Sequence, residues 1–398
     1  MLFKRGEMDS RIGAMLELAQ REGLDGYPVI IEECSPETLY GMAAAGVPGR
    51  FIHWSFGKKA EALVQGHRYG RHRLYELAIY GDPCYGFLSG ETTSGEKLLL
   101  IAHLIAHSDF FKNNSYFQAN PPPAPELFSR RGEEIEEYEK RYGSREVELF
   151  LDAVLSVKEL FQGAGPSEKD RDLLGFLQAH SPVLVPWQRR VLDIIKEEMK
   201  YYWPQVETRI LNEGWASFWH RRLLAACCLT EGETVDAARL HAQLLAPGPA
   251  VNPYLAGKSL LERILREEGM AALFAVRTLH NDYSFVRRYM KEDLLEQLDI
   301  YLYDPKTGTC VNPRENWEQV KKTWLSYLEN GGYPTIYIED PNYLGEGVLY
   351  LRHSYQGLSL DRELAQKTLE YVEKLWGAPV FLETVFDGQR CILQSNYC

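Results

Sequence analysis

His103 and His107 stand four positions apart in Ile101-Ala-His-Leu-Ile-Ala-His-Ser-Asp-Phe-Phe-Lys-Asn-Asn114, a stretch that otherwise reads as an apolar helix. At ~100° per residue, positions i and i+4 lie on one helical face, about one turn apart. Two imidazoles so placed can hold one divalent cation, as in helices of the H-E-x-x-H pattern. Position 104 is Leu, so the water-activating Glu of that pattern is missing while the ligand pair remains. The competing reading is two half-buried histidines on an amphipathic helix. An isolated H-x-x-x-H does not decide between them.

A second stretch does more. Zincin metalloenzymes take a third ligand, a Glu, from a helix downstream of the histidine helix. In one aminopeptidase branch that Glu sits in an L-N-E-G-F-A motif, and Leu211-Asn212-Glu213-Gly214-Trp215-Ala216 is close to it. His103, His107 and Glu213 would make a three-ligand site with one position open. Trp215, Phe218 and Trp219 surround Glu213 in sequence and imply that it is buried. A buried carboxylate needs a partner charge or a metal. His220, two helical turns beyond Glu213, faces the same side. It is a fourth ligand, a proton shuttle or a core histidine. Glu76, in a predicted strand near the histidine helix, is another candidate for the fourth position. With Glu33 and Asp109 it is also a candidate for the missing general base. The expected cofactor is a divalent metal, zinc first, with iron or manganese as alternatives. The expected chemistry is hydrolysis of an amide or peptide-like bond.

Other chemistries have weaker support. A di-iron carboxylate centre needs paired Glu-x-x-His motifs, and none of the 10 histidines has Glu three residues before it. Cys34 or Cys84 acting with a histidine would have no local signature. Gly257-Lys258-Ser259 resembles the end of a phosphate-binding loop, but Asn252 stands where its leading Gly should be, so nucleotide is not expected there. His53, His67 and His72 read as structural or surface residues. A non-catalytic scaffold or regulator with a structural or vestigial metal site remains the alternative, and Leu104 favours it.

The elements that must position these groups follow from pattern. Helix is expected over 8–23, strand over 28–33, helix over 36–45, strand over 50–56 and helix over 58–69. Short strands follow over 74–80 and 84–88, then the histidine helix from 93 to 109. After the proline-rich stretch 120–125 the chain turns helical. A charge-dense solvated helix covers 126–142, further helices cover 146–161 and 171–180, and 163–169 is a loop. A helix starts at Pro186 and breaks at Pro204, and the Glu213 helix spans 206–229. Beyond 295, strands over 298–303, 335–339, 347–352, 380–385 and 390–394 alternate with helices over 315–329 and 360–376.

The fold class is therefore α+β. A small mixed sheet with a helical, zincin-like region precedes a C-terminal α+β domain of ferredoxin-like style. The expected domains are 1–118, 119–290 and 291–398, the last serving binding, docking or oligomerisation. The 398 residues carry a net charge of −12, which argues against nucleic acid and anionic membrane surfaces as partners. No apolar run reaches the ~20 residues of a membrane span, and the N-terminal residues lack the apolar core of a signal peptide. Seven scattered cysteines suit a reducing, cytoplasmic setting.

Several stretches together resemble the stage V sporulation protein R (SpoVR) family. They are Tyr27-Pro28, Phe51-Ile-His-Trp-Ser-Phe-Gly57, Tyr75-Glu76, His103 to Asn114, Pro186-Trp187-Gln188, Asn212-Glu-Gly-Trp-Ala216 and Leu375-Trp-Gly377. The resemblance runs from about residue 10 to 395. It implies a cytoplasmic bacterial protein, linked in spore formers to assembly of the spore cortex. In non-sporing bacteria it implies association with a serine protein kinase and a von Willebrand A-type protein. It supplies a process rather than a reaction.

Overall fold

The structure is a computed structural model. It describes the chain apart from residues 1–9, 70–72, 124–125, 162–170, 249, 299, 301, 305–308, 312–315 and 396–398. His72 and the loop expected over 163–169 lie outside the described residues. The fold is α+β, with two compact units: residues 1–128 with 204–322, and residues 129–203 with 323–398.

The first unit contains β1 (Val29–Cys34), β2 (Glu76–Ile79) and β3 (Cys84–Ser89) in the order β1-β3-β2, with β3 parallel to β1 and antiparallel to β2. Cys84, Gly86 and Leu88 alternate as buried positions, as expected for one covered sheet face. That face receives the histidine helix, Ser94–Asn113, and a Cβ on Gly86 would collide with Leu104. Pairing register puts Glu33, Leu88 and Glu76 in one row on this face. Two strand spacings, ~9–10 Å, separate the two carboxylate-bearing positions.

The histidine helix opens with a capping box. Thr93 Oγ1 accepts from the Glu96 N–H at 3.3 Å, and Glu96 Oε2 accepts from the Thr93 N–H at 2.9 Å. Its run from Leu98 to Ala106 is apolar on every side apart from His103, and such a helix belongs in a core. From Gly95 to Phe111 only Lys97 is not buried. Helices Ser10–Arg21, Arg209–Leu224, Glu231–Leu244 and Met270–Leu279 pack around it.

Two expectations need correction. The alternation over 50–56 makes no strand, because helix Trp54–Arg68 begins inside it. His53 caps that helix, its Nδ1 accepting from the Ser55 N–H at 3.3 Å. Aromatic residues in the first turn imitate a two-residue period. The helix from Pro186 passes through Pro204 and ends at Glu207. The break falls at Thr208, whose hydroxyl donates to the Pro204 carbonyl at 2.6 Å.

The second unit carries a four-stranded sheet in sequential order: β6 (Ile336–Tyr343), β7 (Val348–His353), β8 (Val380–Phe386) and β9 (Gln389–Gln394). Pairs β6–β7 and β8–β9 are antiparallel, and β7–β8 is parallel across helix Arg362–Trp376. Asp387 and Gly388, both at positive φ, form the tight turn between β8 and β9. Gly377, at φ 89° and ψ 8°, ends the crossover helix in the left-handed conformation. The strand expected over 298–303 is shorter, β4 (Leu302–Asp304), and pairs with β5 (Thr309–Val311) in a separate ribbon. No described helix is long and apolar enough to cross a membrane.

Glu233 ties three helices of the first unit together. One oxygen closes the capping box of helix Glu231–Leu244, and the other accepts from Ser94 Oγ and Arg11 Nη1, each at 2.7 Å. The Thr230 backbone N–H, Ser94 and Arg11 hold its carboxyl down at about 2, from an ordinary 4.5. Its stabilisation is therefore complete above about pH 4.5 and is lost as pH falls through about 2. Glu233→Gln is expected to lower Tm at neutral pH and to converge on the wild type in acid. Thermal melts between pH 7 and 2 check this, and a gap that stays constant into acid contradicts it.

Candidate metal centre

His103 and His107 project from the buried histidine helix towards Arg209–Leu224, the helix that carries Glu213. The two helices pack along their length. Glu213 Oε2 lies 3.4 Å from His103 Nε2 and 3.5 Å from His107 Nε2. From the edge strand β2, Glu76 Oε1 reaches His103 Nε2 at 3.3 Å. Single ligand atoms of Glu76, His103 and His107 all lie within 4.8 Å of one another. Glu76, His103 and His107 thus form the compact set, and Glu213 meets both histidines from the second helix. Glu76 and Glu213 keep 15% and 21% of their side chains exposed, so solvent reaches the carboxylate side of the cluster.

The spacing is informative. Charge-assisted N–H···O⁻ bonds close to ~2.7–2.9 Å, and these contacts are longer. Four ligands ~2.0–2.1 Å from one tetrahedral ion stand about 3.3–3.4 Å from each other. The second-sphere bonds also suit ligands. His107 Nδ1 lies 2.9 Å from Asn212 Oδ1. An amide oxygen only accepts, so the ring proton is assigned to Nδ1 and the Nε2 lone pair faces the cluster. Glu76 Oε2 is buried and has no hydrogen-bond partner among the described residues. Such an orphaned oxygen is costly unless a cation or a proton meets it.

The cluster's own charges shift its members strongly. Burial, reinforced by Glu213, pushes the Glu76 carboxyl up to about 7 against the pull of His103. Burial and His103 press His107 down to about 4. Burial would lower His103, but Glu76 and Glu213 outweigh it and raise that ring. Burial would raise Glu213, and His103 and His107 outweigh it, leaving its carboxyl low. Tyr254 stacks on the His103 ring with centroids 5.9 Å apart. Burial and then the Glu213 charge hold its phenol well above 10, so it stays protonated and hydrogen-bonds to Glu213.

The remaining candidates lie elsewhere. His220 does not face the cluster: its Nδ1 meets His103 Nδ1 at 2.9 Å and its Nε2 meets His241 Nδ1 at 2.8 Å. Burial keeps it neutral, well below its usual range. Glu33 is bound by Lys97 at 2.7 Å. Asp109 is fully buried two residues beyond His107, on another face of the helix, accepting from Arg277 Nη1 at 2.8 and 2.9 Å, Trp215 Nε1 at 3.0 Å and the Asp25 N–H at 2.7 Å. Burial pushes the Cys84 thiol up to about 12 and also raises Cys34, so neither is a thiolate nucleophile at neutral pH. His67 lies 3.6 Å from Glu91, and His353 bonds Thr384 Oγ1 at 2.9 Å.

Close backbone approach sets the Glu213 position. A Cβ on Gly214 would collide with Gly257 of helix Pro253–Glu268, and one on Gly257 would collide with Ile210 and Gly214. Gly257 is thus a packing residue inside a helix. The same helix brings in Tyr254. Asp282 accepts from the Ile210 and Leu211 N–H groups at 2.8 and 2.9 Å, capping the start of the Glu213 helix from outside. Asn212, Tyr254 and His241 carried no signal that sequence spacing alone could expose.

The match to known families covers the whole arrangement. The profile described as "SpoVR like protein" matches residues 4–169 and 162–333, and "SpoVR-like C-terminal domain" matches 334–387. The chain belongs to the SpoVR family. It is also similar to "Uncharacterized protein YcgB" of Escherichia coli (strain K12), at 26% identity over 94% of this chain and 91% of that one. No solved structure matches it. In this SpoVR chain, both histidines, Glu76 and Glu213 fall inside the first profile's span.

The Asp109–Arg277 pair underlies the histidine helix and yields a stability test. Arg277→Met leaves a buried carboxylate without its counter-charge, at a cost of about 3–5 kcal/mol. Adding Asp109→Asn to that variant is expected to cost much less than Asp109→Asn does alone. Urea unfolding of the four proteins in this cycle checks the coupling, and strict additivity contradicts it.

Proposed function

We propose that this SpoVR-family chain holds one divalent cation between His103, His107 and Glu213, with Glu76 beside it, and hydrolyses an amide or peptide-like bond. The observation that carries this is the set of 3.3, 3.4 and 3.5 Å spacings among four ligand atoms, near the edge of a small coordination tetrahedron. The donor set suits zinc first and iron or manganese next. A histidine helix, a third ligand, the Glu213 carboxylate, from a second helix and a flanking edge strand support a zincin-like plan.

A cation bound there would supply Lewis acidity to a carbonyl and to a nearby water. The protein groups have separate tasks. Asn212 and the His220 side hold the imidazoles with Nε2 inward. Tyr254 donates to Glu213 and fixes its carboxylate. Glu76 replaces the Glu absent at position 104. In this reading its Oε2, which has no hydrogen-bond partner among the described residues, takes a proton from the attacking water and returns it to the leaving amine. Lys97 and Arg277 hold Glu33 and Asp109, which leaves Glu76 as the base. Family membership directs the search to sporulation and peptidoglycan precursors, and to a serine protein kinase and a von Willebrand A-type protein as partners.

One observation favours a second reading. Leu104 is fully buried and pressed on Gly86, so the helix position that would carry a base is core. The site would then be a structural cation clamp in a scaffold or regulator. Elemental analysis after tag-free purification tests the site: about one equivalent of metal is expected in the wild type and none in His103→Ala or Glu213→Gln. A folded wild type that binds no added metal overturns it. Glu76→Gln separates catalysis from scaffolding. Catalysis predicts full metal content with a loss of function of at least ~10²-fold. Unchanged function favours the clamp.

A further inference from the structure

Behind the candidate centre, three histidines stand in a line. His103 Nδ1 and His220 Nδ1 are 2.9 Å apart, and His220 Nε2 and His241 Nδ1 are 2.8 Å apart. His103 and His220 are fully buried, whereas His241 is half-buried. We propose that His220 and His241 are positioning residues that form a tautomer relay for His103, joining the inner centre to a solvent-reached imidazole. The inference rests on the cation-site reading above.

The argument is one of proton counting. A hydrogen bond between two imidazole nitrogens holds a single proton, so one ring donates and the other accepts. Both His220 nitrogens are engaged. A neutral His220 must therefore accept through one and donate through the other, and the first bond fixes the direction of the second. When His103 Nε2 offers its lone pair to a cation, its proton lies on Nδ1 and points at His220. His220 then carries its proton on Nε2, and His241 carries its own on Nε2, the outer nitrogen. The opposite polarity would put a proton on His103 Nε2 and close the ligand position. His107 keeps its ligand position open with the single oxygen of Asn212. Outer partners of this kind typically govern metal affinity by 10–100-fold.

Zinc affinity by chelator competition and ¹⁵N-histidine NMR test the relay together. Saturated wild type is expected to show His241 protonated at Nε2. His220→Asn keeps an accepting oxygen and should bind zinc within about threefold of wild type, whereas His220→Phe should lose about tenfold. His241→Gln, at the half-buried end, serves as the milder variant should His220→Phe fail to fold. There the His220 Nε2 proton is expected to persist, donated to the amide oxygen. Wild-type zinc binding with His241 protonated at Nδ1 overturns the relay alone. So does a folded His220→Phe that binds zinc as tightly as wild type. A wild type that binds no zinc overturns the relay and the site reading together.

Discussion

Two carboxylates and two imidazoles have been taken into the contact between two core helices, and the first unit is organised around making that tolerable. Each buried charge loses hydration worth several kcal/mol. The loss is offset only if every atom meets a partner with good geometry. The histidine helix is apolar on all sides but one, and Glu76 and Glu213 form the partly exposed side of the cluster. Those carboxylates in turn rest on Tyr254 and on the imidazoles themselves. Burial raises Glu76 and lowers His107 by penalising their charged forms, while Glu76 and Glu213 together raise His103 against its burial.

The stretch Asn212-Glu-Gly-Trp-Ala216 condenses this design. Asn212 fixes the His107 tautomer, and Glu213 meets both histidines. Gly214 admits the backbone of Gly257, and with it the helix that carries Tyr254. Trp215 donates to Asp109, which locks Arg277 beneath the histidine helix. Ala216 offers its carbonyl to His103. Consecutive residues of one helix thus reach both the histidine helix and helix Pro253–Glu268. That explains why a short motif is so informative: each side chain is bounded by a different neighbour.

Much of this was legible before any coordinates. The apolar run around Ile101–Asn114 gives the helix and the four-residue spacing gives a shared face, whereas the burial expected for Glu213 from its aromatic neighbours is only partial, its side chain keeping 21% exposure. The strand pattern places Glu76 beside the histidine helix. Choosing between Glu76 and Glu33 needs the structure, because both share a row with Leu88 on opposite edges of the sheet and only β2 brings its carboxylate to His103. The role of His220 was open because helical period tells which face a residue occupies and not which ring nitrogen meets which neighbour. His241 and Tyr254 lie on helices whose apolar patterns resemble any core helix. The helix start at Trp54 escapes the sequence pattern because histidine is an uncommon cap, and the helix continues through Pro204 because a proline near a helix end removes only one donor.

The most direct measurement is zinc K-edge X-ray absorption on the metal-loaded protein. The account predicts a shell of only nitrogen and oxygen scatterers near ~2.0–2.1 Å, with outer-shell scattering from two imidazoles, and loss of the bound zinc in His107→Ala. A sulfur scatterer at ~2.3 Å, or a spectrum unchanged by His107→Ala, would contradict it.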